Sequence, residues 1–271
     1  MSVIHFFRQF VQTLTRIAHA FCRPAISHWL SAVVLLLSLH LQAQNTIFLT
    51  EGRIEFEKKV NVYSQMEDDN SWSELMKKTT PQFRSTYFNL VFKGNKTLYK
   101  PGRENADNNK SNFWSQPVAE ENIVYSDLDI TSSTSQKKVF EQVYLVQDSI
   151  RRIKWKITSE MKNIAGFNCR RANAIIMDSI YVVAFYTDEI VTPGGPESFT
   201  NLPGMILGIA LPHQHITWFA TKVQATKVAD AEIIPPVKGK KVNNATIKLD
   251  LEDVMKDWGK YGRRNLVAVM L

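Results

Sequence analysis

Hydrophobic and polar residues alternate with a period of two along several segments of this chain. In the first such segment Ile54, Phe56 and Val60 share one face, and charged residues occupy the other. This alternation is typical of a β-strand with one buried face, because successive side chains point to opposite sides. The same pattern predicts strands over residues 88–92, 139–146, 153–157, 167–176, 180–186, 205–211 and 216–223.

Short connections separate these predicted strands. Successive strands joined by tight turns favour antiparallel pairing over parallel crossover units. The sequence therefore predicts a mainly β, β-rich α+β fold: a curved antiparallel meander sheet covered by one or two helices. The turns are predicted at Gly94-Asn95, Asp148-Ser149, Asp178-Ser179 and residues 212–215.

Two segments have the spacing of helices that would cover the sheet. One begins at Ser71, where residues 71–74 match a capping box. The other begins near Asp250, after a predicted linker at 232–246. The last helix places four apolar side chains along one face: Leu251, Val254, Met255 and Trp258.

Residues 101–121 are polar and aperiodic, which predicts a long surface loop.

The first 43 residues have the pattern of a secretory signal peptide. Arg8, Arg16 and Arg23 are its only charged residues, an apolar run follows at 29–39, and Ala43 is a small residue at the exit. A retained membrane anchor is the alternative, but a spanning helix needs about 20 apolar residues and this run is shorter.

We therefore predict a signal peptide at 1–43, a β domain at 44–231, and a linker with a C-terminal amphipathic helix at 232–271. The predicted location is the periplasm, the periphery of the outer membrane or the medium. No transmembrane segment is expected after cleavage.

Composition removes several functional classes. The 271 residues carry a formal net charge of +7, and +4 remains once the 3 arginines of the signal peptide are removed. No stripe of interleaved aromatic and basic residues occurs, so we expect no nucleic-acid partner. Cys169 is the only cysteine after the predicted signal peptide, which excludes an intramolecular disulfide there and predicts a buried thiol.

His213 and His215 are the only histidines beyond the predicted signal peptide. On a strand, residues two apart project to the same side, so the pair could offer two imidazoles to one metal ion. On a turn they would be solvated, and no third ligand is evident nearby. Common nucleophile, zinc and phosphate-binding motifs are missing from the sequence. We expect no cofactor and favour a non-enzymatic function; an exported hydrolase or metal-dependent enzyme using this pair is the alternative.

Glycine and proline cluster within residues 192–208. The run Leu202-Pro203-Gly204-Met205 suits a type II turn, because proline fixes φ near about −65° and glycine accepts positive φ. Such a segment is either a rigid structural corner or a shaped loop for a ligand or partner. The sequence leaves both interpretations open.

This segment and its context resemble the GLPGLI family of exported bacterial proteins. The family motif matches Asn201-Leu202-Pro203-Gly204-Met205-Ile206, with Asn201 in place of the first glycine and Met205 in place of the second leucine. Further matching blocks are residues 148–157, 164–172, 184–190, Gly195-Pro196 and 218–223.

The resemblance implies a secreted or periplasmic protein of a Gram-negative bacterium, with no settled activity and no catalytic residues to carry over. It also implies a shared structural feature, with Trp155 and Tyr186 packed beneath it. The residues expected to form that feature are Gly195, Pro196, Leu202, Pro203, Gly204 and Ile206.

The leading functional hypothesis is a non-catalytic envelope protein that binds an apolar ligand or another envelope component. By analogy with periplasmic lipoprotein carriers, a curved sheet could hold an apolar small molecule in its concave face. The predicted apolar pocket is lined by Phe88, Phe92, Trp155 and Tyr186.

Overall fold

A single twelve-stranded sheet dominates the computed structural model, which describes residues 48–66, 71–105 and 118–271. The predicted signal peptide lies outside these residues. The helices are α1 (Val62–Gln65), α2 (Ser71–Thr79), α3 (Asn244–Met255) and α4 (Gly259–Met270). The strands are β1 (Glu51–Asn61), β2 (Phe83–Lys93), β3 (Lys96–Pro101), β4 (Ile123–Asp127), β5 (Ser132–Val139), β6 (Gln142–Ser149), β7 (Lys156–Ile164), β8 (Phe167–Ile176), β9 (Ile180–Thr187), β10 (Met205–Leu211), β11 (Ile216–Gln224) and β12 (Lys240–Val242).

The strand order in the sheet is β12-β6-β5-β4-β3-β2-β1-β11-β10-β9-β8-β7. Strands β1 to β6 follow sequence order, as do β7 to β11, and the antiparallel pair β1–β11 joins the two runs. Among the named strands, only the short edge strand β12 is parallel to its neighbour, β6, and Leu49 forms an isolated parallel bridge with Ile190. The prediction of a mainly β, mostly antiparallel sheet is confirmed.

One predicted hairpin is wrong. Residues 139–146 and 153–157 were expected to pair through Asp148-Ser149, but β6 pairs with β5 and β7 pairs with β8 at the other end of the sheet. The carboxylate of Asp148 instead accepts the backbone N–H of Asn244 at 3.0 Å. Polar residues at a strand end therefore mimicked a turn, because alternation identifies the faces of a strand but not its partners.

The other predicted turns are confirmed. Gly94, with φ +55°, closes β2 onto β3, and Met177 and Asp178, with φ of +48° and +64°, close β8 onto β9. Residues 177–179 form a three-residue connection, in which the N–H of Ser179 donates to the carbonyl of Met177 at 2.8 Å. Residues 212–215 connect β10 to β11 through a short 3-10 turn.

The main hydrophobic core lies on one face of the sheet. Ile54, Phe56 and Val60 of β1 are buried there together with Phe88 and Phe92 of β2, as the alternation of β1 and β2 predicts. A smaller cluster on β2 and β3, formed by Val91 and Leu98, is covered by Val228 and Ile233. Residues 106–117 of the predicted surface loop lie outside the described residues, and the end of the loop is buried, since Val118 packs in the cluster beneath the last helices.

The predicted C-terminal helix is two helices. Asn243 caps α3 by accepting the N–H of Thr246 at 2.8 Å, and α3 ends at Met255 before a 3-10 turn and α4. The apolar face expected to include Val254 and Trp258 is wrong at those two positions, which are 56% and 39% exposed. The buried stripe instead runs at a spacing of four residues through Ile247, Leu251 and Met255.

The predicted helix at Ser71 is present as α2, and the predicted linker at 232–246 is partly ordered into the sheet as β12. No helix among the described residues has both the length and the hydrophobicity needed to cross a membrane.

Candidate functional site

Two three-residue turns shape the Gly/Pro segment. The N–H of Gly194 donates to the carbonyl of Thr192 at 2.8 Å, and the N–H of Gly204 donates to the carbonyl of Leu202 at 2.8 Å. Each turn is centred on a proline, and both are one residue tighter than the predicted type II turn. The N–H of Ile206 donates to the carbonyl of Gly194 at 2.8 Å, which ties the two turns together. We call residues 192–206 the corner.

The backbone of the corner needs glycine at two positions. Gly204 has φ +138°, and a Cβ there would lie 2.1 Å from the carbonyl oxygen of Thr187. A Cβ on Gly195 would lie 2.8 Å from the Cβ of Ile206. Asn201 replaces the family's first glycine at φ +71°, a conformation that asparagine adopts more readily than most residues.

The structure brings the predicted motif residues together with Trp155 and Tyr186. Trp155 donates its indole N–H to the carbonyl of Thr200 at 2.8 Å, and Tyr186 of β9 pairs with Ile206 of β10. Of the motif residues, Asn201 and Pro203 are exposed. The buried ones are Gly195, Pro196, Leu202, Gly204, Met205 and Ile206.

The residues of the predicted apolar pocket are core residues. Phe88 and Phe92 are 0% exposed, Tyr186 is buried, and Trp155 packs against the same cluster. Phe88 stacks on the ring of Tyr99 with the ring centroids 4.8 Å apart. A ligand would have to displace this packing to reach them.

The two histidines lie on the turn between β10 and β11. Both are exposed, and His215 has φ +56°. Across residues 48–66, 71–105 and 118–271, no three His, Cys, Asp or Glu side chains group in a way that could hold a metal ion.

A buried group of charged and polar side chains, which the sequence reasoning missed, lies beside the corner. Glu197 is 3% exposed and Lys58 is 5% exposed, and Asn122 donates its side-chain N–H to Glu197 Oε2 at 3.3 Å. Burial raises the pKa of the Glu197 carboxyl, while Lys58 and Lys137 oppose that rise. We call Lys58, Tyr99, Asn122, Glu197 and Trp218 the Glu197 cluster.

Aromatic rings enclose the Lys58 ammonium. Its Nζ lies 5.3 Å from the centroid of the Trp218 ring and 5.8 Å from that of Phe88, within the range of cation–π attraction. Burial raises the pKa of Tyr99 well above its usual value, and the nearby Glu197 raises it further. Lys58, Tyr99 and Glu197 are all buried, so the cluster lies within the core beside the corner.

Two cations and a hydroxyl bind the last carbonyls of α4. Lys137 Nζ donates to the carbonyl of Val269 at 2.5 Å, and Arg151 Nη2 donates to the carbonyl of Met270 at 2.5 Å. Ser198 of the corner donates to the carbonyl of Leu271. The last carbonyls of a helix have no partner within it and carry a partial negative charge, so cations stabilise this end.

A polar cavity of about 30 Å³ opens beside these cations. Serine hydroxyls supply much of its wall, and the surface-exposed Ser149 marks its rim. We call it the serine pocket. Its polar lining residues are Ser126, Ser133, Ser135, Lys137, Ser149, Arg151, Ser198 and Asn244.

Exposed aromatic side chains meet where the β5–β6 turn approaches the helices. The rings of Phe140 and Trp258 make an edge contact with centroids 5.4 Å apart, and Trp258 stacks with Tyr261 at 6.0 Å. All three are exposed, as is Val254 one turn before Trp258. We call these four residues the aromatic surface.

Cys169 is buried, as the sequence predicts. Burial raises the pKa of its thiol to about 12, and the charge of Glu189 adds to this effect. Because the thiolate is the reactive form, this cysteine is a poor nucleophile.

Neither the protein-family models nor the curated proteins include a match to the chain. Among solved structures, two crystal forms of PNGF-II are similar, with TM-scores of 0.48 and 0.49 and sequence identities of 16% and 15%. The alignments cover 73% and 77% of this chain but 32% and 33% of the PNGF-II chains, so this chain spans about a third of their length. An uncharacterised conserved protein from Thermus thermophilus is similar with a TM-score of 0.36 and 5% identity, over 72% of this chain and 90% of that one.

Proposed function

We propose that this chain is an exported, non-catalytic protein of the cell envelope that binds another envelope component through the aromatic surface. The observation that carries the proposal is the exposed group of Phe140, Trp258 and Tyr261, whose rings contact one another. Exposed groups of large apolar side chains mark interaction sites, and tryptophan and tyrosine are enriched among residues that dominate binding energy.

The backbone around the aromatic surface supports this proposal. Phe140 has φ +54°, a conformation that costs energy for a bulky residue, and Gly259 after Trp258 has φ +54° as well. Strained backbone thus holds the Phe140 side chain at the surface, whereas Gly259 adopts positive φ without strain and lets the chain turn directly after Trp258. Strain of this kind is common at functional sites.

The state of the ionisable groups supports a non-catalytic role. Glu197 and Lys58 are enclosed in the core, and burial raises the pKa of the Cys169 thiol. His213 is exposed on a turn without a grouped partner in the described part of the chain. A general acid or base needs a titratable group within reach of the substrate, which these groups do not provide.

The proposal retains the resemblance to the GLPGLI family. It also retains the predicted curved meander, which is supported by the two long runs of strands that follow sequence order in the sheet. It favours a protein or other large envelope component over an apolar small molecule. The expected apolar pocket includes Phe88 and Phe92, which are wholly enclosed.

Site-specific photo-crosslinking in the native host tests the proposal. A photoreactive phenylalanine at Tyr261 is expected to give one predominant adduct, identified by mass spectrometry, and Trp258→Ser is expected to abolish it. The control probe replaces Ile175, which is 65% exposed on β8 and outside the aromatic surface. Equal adducts from both positions, or an adduct at 261 that survives Trp258→Ser, would contradict the proposed binding surface.

A further inference from the structure

We propose that the serine pocket binds a phosphate-type oxyanion, either free or as the terminal group of a larger ligand. This site is separate from the aromatic surface and does not depend on it. Its lining combines two cationic side chains with serines from β4, β5 and the corner, and Ser149 of β6 lies at its rim. Arginine and lysine with serine hydroxyls are the groups that proteins use to bind phosphate oxygens.

The strands place the hydroxyls and one cation on the same face. Ser133, Ser135 and Lys137 are spaced by two residues along β5, so their side chains project to one side of the sheet. Ser126 of β4 is the direct cross-strand partner of Ser133. Three hydroxyls and an ammonium therefore converge on the pocket from neighbouring strands.

The cations have donors left over after binding the helix carbonyls. Arg151 uses Nη2 on Met270, but its Nη1 is buried with no hydrogen-bond partner in the described chain. The Lys137 ammonium has three N–H donors, and its hydrogen bond to the carbonyl of Val269 uses one. Buried charged donors are costly unless they are paired, and an oxyanion pairs both at once.

No side-chain carboxylate of the lining pairs with the remaining donors of Lys137 and Arg151, because the lining contains no Asp or Glu. Three carboxylates adjoin the lining residues in sequence; each interacts with groups outside the pocket, and the charge of Glu197 also acts on Lys137. Asp148 accepts two backbone N–H groups, at 2.7 Å and 3.0 Å. Glu197 accepts from Asn122, and Asp127 lies 3.7 Å from the ammonium of Lys96.

Leu271 also lines the pocket, and its carbonyl oxygen accepts the hydroxyl of Ser198. The charged side chains of the lining are Lys137 and Arg151. Glu197, which lies outside the lining, offsets part of the charge of Lys137, so the positive charge directed towards an external anion is chiefly that of Arg151.

The size of the pocket limits the ligand. A cavity of about 30 Å³ has room for about two water molecules. A single small oxyanion fills the space of those water molecules. A larger organic anion would insert only its phosphate group, and the rest of the ligand would stay outside the pocket. Lys137 stays mostly protonated at pH 7, because burial lowers its pKa only to about 8.

Isothermal titration calorimetry at pH 7 and low ionic strength tests this site in the full mature chain. One arm titrates inorganic phosphate, and the second titrates dihexanoyl phosphatidic acid below its micelle concentration. Arg151→Lys keeps the charge but loses the second guanidinium donor, and Ser135→Ala removes one hydroxyl. Each is expected to weaken binding by about tenfold or more, whereas Ser132→Ala, on the opposite face of β5, is expected to leave it unchanged.

Binding in the first arm identifies free oxyanion as sufficient, and binding only in the second identifies a phosphate carried by a lipid. The proposal is overturned if neither probe binds the folded wild-type chain. It is also overturned if Arg151→Lys and Ser135→Ala, shown to be folded by circular dichroism, bind as tightly as the wild type.

Discussion

Gly204 occupies a backbone position that an L-residue cannot share without strain. At φ +138° an added Cβ would lie 2.1 Å from the carbonyl oxygen of Thr187. We predict that Gly204→Ala lowers the free energy of unfolding by roughly 2–4 kcal/mol, measured by urea denaturation. The control is Gly94→Ala, at φ +55° with no atom within 4 Å of the added Cβ, which should cost only about 1 kcal/mol. Equal losses in the two variants would contradict the close packing of the corner.

Lys137 links stability to alkaline pH. Burial lowers the pKa of its ammonium to about 8 from an ordinary value of 10.5, so between these pH values the unfolded chain binds more protons than the folded one. The lysine therefore destabilises the folded state when protonated, and stability attributable to it rises as pH increases from about 8 to 10.5.

The matched variant is Lys137→Met, compared with wild type by urea denaturation at several pH values. The wild type is expected to gain up to about 3 kcal/mol relative to Lys137→Met across this window. Lys138→Met, at an exposed neighbouring position, should show no such divergence. A pH-independent difference between wild type and Lys137→Met would show that the ammonium is not desolvated.

Single residues in the sequence carried a signal for the buried charges. Lys58 interrupts the inward positions of β1 between Phe56 and Val60, and a polar residue in an apolar register often has a buried partner. Its partner Glu197 is 139 positions later in the chain, in the corner, and nothing local connects the two. The sequence could therefore indicate that Lys58 is buried with a partner, but the position of Glu197 beside it depends on the whole fold.

At the level of elements, the alternation of hydrophobic and polar residues predicted strand pairs correctly where the two paired strands are close in sequence. Strands β8 and β9, and β10 and β11, were found with their turns for that reason. β6 and β7 were mispaired because the segment between them is short, although it connects opposite ends of the sheet. The single C-terminal helix was wrong because the break after Met255 leaves Trp258 outside the buried stripe.

The buried stripe of α3 makes a prediction at this scale. Leu251→Ala should lower the free energy of unfolding by about 2–5 kcal/mol, because Leu251 packs in the cluster with Tyr144 and Val146. Val254→Ala should change it by less than about 0.5 kcal/mol, since Val254 is exposed. Chemical denaturation of both variants checks this, and similar losses would show that the helix face is rotated from the one described.

For the whole molecule, the pairing of β1 with β11 has the largest consequence. It joins two runs of antiparallel strands into one sheet. The corner, which precedes β10 in the second run, then lies against β4 and β5 of the first run, where Glu197 contacts Asn122 and Ser198 shares a pocket with Lys137. The Glu197 cluster and the serine pocket therefore each combine residues from both runs of strands.

Disulfide trapping across β1 and β11 tests this pairing most directly. Lys59 and Thr217 are direct partners in the register, so Lys59→Cys with Thr217→Cys should oxidise to an intrachain disulfide, detected by its shift on a non-reducing gel. Glu141→Cys with Lys156→Cys, which would face each other if β6 and β7 formed a hairpin, should remain unlinked. The reverse result, a link between 141 and 156 and none between 59 and 217, would contradict the single joined sheet.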